Sequence, residues 1–155
     1  MNKTFLKIAF FVSAVVFSVF CFARGASADV LNQDTPFFVD NSYDALNRQA
    51  LMATLVQVSD HAYFYIEDDW WHSIDQSAAK ASIDNLATAF DQIVYPKLTQ
   101  ILGNIWEPGI DNDSRITILI SRIQEGAGGY FNTADEYPRD QAAHSNQRER
   151  SKSAL

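Results

Sequence analysis

From Asp75 to Val94 the apolar residues Ile83, Leu86, Ala87, Phe90, Ile93 and Val94 recur at spacings of three and four. That is the period of one helix face, so the stretch predicts a single long helix with an apolar stripe. Asp75 stands where its carboxylate can cap the first turn. Pro96 ends or kinks the helix at Tyr95. Lys97 to Leu102 predicts a further short turn of helix closed by Gly103.

Strand-like segments flank this helix. Gln49 to Glu67 reads as a hairpin, with Thr54, Val56 and Val58 in the first arm and a turn at Ser59-Asp60-His61. In the second arm Tyr63, Tyr65 and Glu67 alternate with Phe64 and Ile66, the period of a half-buried strand. A helix from Asp44 to Leu55 competes with the first arm, because Leu46, Ala50 and Ala53 would share one face. Arg115 to Ile120 contains ITILI, an apolar run expected of a central strand covered on both sides. Ala127 to Phe131, AGGYF, is expected to form another short strand whose paired glycines suit an edge or a bend. Asp29 to Leu46 promises little regular structure. The expected fold class is therefore α+β, a short twisted β-sheet backed by one long helix.

The N-terminus has a different character. Lys3 and Lys7 precede the apolar run IAFFVSAVVFSVFCFA, and Ala26-Ser27-Ala28 follows with small residues suited to cleavage. This is the pattern of a removed secretory signal, so a secreted or extracytoplasmic destination is expected and membrane contact is expected only during export. The single cysteine, Cys21, lies inside that run, which leaves the rest without disulfide or thiol chemistry. The formal net charge is −7. Lys3, Lys7 and Arg24 are the signal's charges, so its removal makes the remainder more acidic. Nucleic acid is not an expected partner, because binding it depends on neutralising phosphates. The expected organisation is a signal over 1–28, a lead-in or propeptide remnant over 29–48, a partial α+β domain over 49–138, and a polar, disordered or truncated tail over 139–155.

The candidate chemistry is sparse. His61, His72 and His144 form no His-x-x-x-His pair, and a zinc site needs three or four converging ligands. Asp111-Asn112-Asp113 offers hard oxygens, so Asp111 and Asp113 are candidate calcium ligands. The same residues equally serve as a turn that leads into ITILI. Trp70 and Trp71 are expected to pack against the domain, and a sugar platform built on them is the rarer use of such a cluster. No catalytic residue can be assigned.

The runs AYFYIEDDWW, FDQIVYPKLTQILG, WEPGIDNDSRITILISRI and AGGYFNTADEYPRDQAAHSNQRE resemble bacterial secreted zinc metallopeptidases of the hyicolysin-like group, within the zincin class. The resemblance spans about Ala50 to Glu149. It implies a partial zincin-like N-terminal subdomain and a polypeptide substrate. It also implies a role for Gly128, Gly129 and Tyr130 as a strand that pairs with extended substrate. In that family an HExxH helix follows, whose histidines hold zinc and whose glutamate activates water. Here Glu149 is followed by RSKSAL, with no HExxH. The implied function is the N-terminal fragment of a secreted zinc-dependent endopeptidase, inactive as it stands. Zinc is implied only for a full-length member, and calcium stays open. The alternative is an exported peptide- or glycan-binding module using Trp70, Trp71, Tyr130 and the AGGYF segment. Oligomeric state is not legible at this level.

Overall fold

The computed structural model describes residues 29–105, 109 and 113–147. The order is β1 (Asp34–Phe38), β2 (Ala50–Val58), β3 (Ala62–Glu67), a helical turn α1 (Asp68–Trp71), the helix α2 (Gln76–Ala89), a π-helical turn (Phe90–Val94), α3 (Tyr95–Leu102), β4 (Ile116–Ile120) and a 3-10 turn (Thr133–Glu136). The strands form one mixed sheet in the order β1-β2-β3-β4. β1 and β2 are antiparallel, as are β2 and β3, while β4 runs parallel to β3. The fold is α+β, with the long helix carrying the chain from β3 to β4. Among the described residues no helix is long and apolar enough to cross a membrane.

The hairpin forms as its sequence requires, and the competing helix from Asp44 to Leu55 does not. β2 and β3 pair from Ala53↔Glu67 to Val58↔Tyr63, with a bulge between Leu55 and Gln57. The bulge inserts Val56 without a partner and shifts the alternation by one, so that Leu55 and Val58, three residues apart, reach the same side. Val56 joins Ala62, Phe64, Ile66, Ile83, Ala87 and Phe90 on the helix side. Leu55 joins Phe37, Leu51, Ala53, Tyr63 and Tyr65 on the other side. The expected alternation in β3 thus sorts its side chains correctly, yet all six residues are buried instead of half.

ITILI does not take the central place. β3 lies between two strands and is covered on both faces, whereas β4 lies at the sheet's margin with Ile116 and Thr117 exposed. None of its residues is fully buried, because an apolar run suits a covered strand but carries no information about which neighbour is missing.

The helix begins where Asp75 accepts bonds from Ser77 N (2.9 Å) and Ala78 N (3.3 Å). It faces the sheet with Ile83, Ala87 and Phe90. Pro96 neither ends nor breaks it, because Pro96 opens α3 just after the π-helical turn, where a missing N–H costs least. Gly103 closes α3 at φ 91°. The segment Asp68 to His72 forms the single turn α1, and Trp70 and Trp71 pack half-buried against the helix-side core.

Two terminal segments are more ordered than expected. Asp34 to Phe38 lies within the segment expected to lack regular structure, and it forms β1. Phe37 is 3% exposed and stands edge-on to Tyr65 at 5.0 Å. Residues 139–147, expected to be solvated, dock on β1 around Ser145, which is fully buried.

Candidate functional site

The two margins of the sheet differ in their chemistry. Val39 N bonds to Gln49 O, so Val39 and Phe37 face β2, and the peptide groups of Phe38, Pro36 and Asp34 face outward. Pro36 has no N–H to offer there. Asn146 covers the next position: its Oδ1 accepts from Phe38 N at 2.7 Å, and its Nδ2 donates to Phe38 O at 2.9 Å. A side-chain amide thus imitates one peptide unit of a neighbouring strand. Asp135 fixes that amide by accepting from Asn146 N at 2.6 Å and from Nδ2 at 3.1 Å. Ser145 Oγ donates to Tyr137 O, and Arg139 and His144 lie against the Phe38 ring.

At the other margin, Ile116 N donates to His61 O. In the parallel register this turns Ile116, Ile118 and Ile120 toward β3 and leaves the peptide groups of Thr117 and Leu119 facing outward. No strand pairs with them among the described residues. The strand carries neither charge nor proline. The start of this edge adjoins α3, because the Tyr95 ring lies over His61 at 3.8 Å. Ile116 at the start of the edge is 38% exposed, and on α3 Leu98, Ile101 and Leu102 are 46%, 76% and 78% exposed.

The expected strand over Ala127 to Phe131 is absent. Ala127 N turns back to Gln124 O, and Gly126 and Gly129 take φ of +87° and +146°, conformations that end strand pairing. Gly128 and Gly129 are exposed, and Tyr130 is committed elsewhere. Its hydroxyl accepts from Asp40 N at 3.0 Å, its ring stacks on Tyr43 at 4.8 Å, and burial pushes its phenol pKa up. The unpaired edge therefore lies on β4, not at Gly128, Gly129 and Tyr130.

Asp113 serves the turn before β4. Its carboxylate accepts from Tyr63 Oη at 2.6 Å and from Arg115 N at 2.9 Å. Asp111, the other candidate calcium ligand, falls outside the described residues. The three histidines sit apart. His61 faces Asp91, the His72 ring meets Asp68 O, and His144 lies over Phe38. Among the described residues no group of three or more His, Cys, Asp or Glu side chains stands together as a metal site. A groove of about 470 Å³ beside the Asn146 contact is lined by Phe38, Asp40, Gln49, Asn132 and His144 among others.

Two polar clusters escaped the sequence. Glu67, 1% exposed, accepts from Arg48 Nη1 at 2.7 Å and from Arg122 N and Nε at 3.0 Å each, and its carboxylate also meets Arg122 Nη2. Burial alone would raise its pKa, but the two guanidiniums outweigh it and hold the group at about 2. Arg48 also binds Asp44, whose pKa its hydrogen bonds depress. In the second cluster Asp91 gathers Ser59 Oγ at 2.9 Å, Asp60 N at 3.0 Å and His61 N at 3.3 Å, so the helix caps the β2–β3 turn. Desolvation pushes the Asp91 pKa up, and these donors bring it below the usual range. A charged residue that closes a strand of alternating apolar residues, as Glu67 does, was the one available signal for the first cluster. No family model matches this chain, and no curated protein matches it.

Proposed function

We propose that this chain is an exported polypeptide-binding module, built on the front part of a zinc-endopeptidase-like fold, that holds an extended chain along the outer edge of β4. The observation that supports it is the outward pair of peptide groups at Thr117 and Leu119, on an uncharged strand, in a sheet whose opposite margin is blunted by Pro36 and Asn146. Extended backbone is the chemistry that completes such an edge. The resemblance to secreted zinc endopeptidases supports the choice of polypeptide over other ligands. Hydrolysis would in addition need the HExxH helix and its zinc, whose ligands the described residues do not bring together.

The test is fluorescence anisotropy with a labelled peptide of alternating threonine and valine. Binding is expected, unaffected by chelator and lost in Thr117→Pro, which removes an outward N–H without touching the pairing to β3. No binding, or equal binding by Thr117→Pro, would sink the reading. If the peptidase ancestry extends to chemistry, joining an HExxH-bearing second half should yield chelator-sensitive proteolysis.

A further inference from the structure

We infer that a second copy of this chain is the resting occupant of the β4 edge, an inference that rests on the polypeptide-binding reading above. The outward residues Thr117 and Leu119 stand symmetrically about Ile118. An antiparallel copy related by a two-fold axis at Ile118 sets Thr117 of each chain opposite Leu119 of the other. Both present outward peptide groups, so each such pair exchanges two N–H···O bonds. Ile118 then opposes its own copy and Ile116 opposes Ile120, apolar cross-strand pairs of the favourable kind. The strand has no charge that would face its own like. The neighbouring cations are engaged within their own chain, Arg115 with Ser59 O and Tyr63 Oη, and Arg122 with Glu67.

Two features favour a copy over a free peptide. β4 is already held extended by β3, so the copy forfeits less conformational freedom than a disordered ligand does. Ile116, 38% exposed at the start of β4, adds apolar surface to what the five-residue strand offers toward the ~800 Å² that each partner of a stable complex buries. Ligand and copy compete for one edge, so self-pairing regulates access. Because the chain carries −7, copies repel at long range, and salt tightens their pairing.

Sedimentation velocity on the chain secreted by an exporting host tests this. A monomer–dimer equilibrium is expected, strengthened by salt and displaced toward monomer by the labelled peptide. Thr117→Pro and Thr117→Lys should both lose the dimer while keeping the melting curve of the parent. Amide exchange reads the same event without substitution, since Thr117 and Leu119 should become protected only at high concentration. A monomer at every concentration overturns the inference, as does a dimer that survives both variants or shows no protection at Thr117 and Leu119. A monomer that still binds the peptide leaves the polypeptide-binding reading standing. A monomer that binds nothing removes both.

Discussion

The β1 and β4 margins belong to one sheet and follow opposite rules. β1 presents a proline, and its next outward peptide unit is taken by Asn146. β4 presents two outward peptide units and nothing that obstructs them among the described residues. Exposed edges invite pairing with other chains, so folds usually blunt both. Here one is blunted with a side chain brought from over a hundred residues away. The difference teaches that a margin can be blunted by one amide from a distant loop, while the described residues bring nothing comparable to β4.

The largest expected effect comes from the cluster in which Glu67 holds Arg48, before β2, and Arg122, after β4. Glu67→Gln leaves two arginines facing a neutral amide and should cost about 3–5 kcal/mol, read by chemical denaturation. The pH dependence has a definite sign. Glu67 is depressed from 4.5 to about 2, so its contribution is full above pH 4.5 and lost as pH falls toward 2. The parent's melting temperature should drop across that window, and Glu67→Gln should flatten the drop. A variant that melts like the parent would show that the comparison of margins does not depend on this anchor.

Asn146→Ala comes next, at about 1–3 kcal/mol for leaving Phe38 N and O without their partner. It also breaks the asymmetry directly. With both margins open, the chain should pass from dimers to larger assemblies, and residues 139–147 should become cleavable at Arg139. Retention of the dimer with no added cleavage would mean that Pro36 alone guards β1. The smallest effect is expected from calcium. Asp113 already accepts from Tyr63 and Arg115, so millimolar calcium should leave the melting temperature unchanged, and an upward shift would show that the turn before β4 can reorganise.

What the sequence disclosed were the local signals. The helix spacing, the Asp75 cap, the hairpin turn and the two-sided sorting of β3 all depend on residues near one another in the chain. What it concealed depends on separation. Glu67 and Arg122 are 55 residues apart, and Phe38 and Asn146 are 108 apart. No spacing rule joins them. Pro36 disguised β1 as a loop because a proline argues against a strand unless the margin is known beforehand. The same ignorance of margins placed ITILI in the centre and assigned the edge to AGGYF, where positive-φ glycines make a bend.

The π-helical turn carries a consequence for how this gene can change. Between Phe90 and Val94 the helix accommodates about one residue more than an α-helix would. Deleting one codon there should leave a continuous α-helix with the residues beyond it on much the same faces, because the bulge absorbs the extra residue. Tyr95 would keep its place over His61. The same deletion in a regular α-helix would turn every later residue by about 100°, so this turn is the point in the helix where the chain can lose a residue at the least cost to its packing.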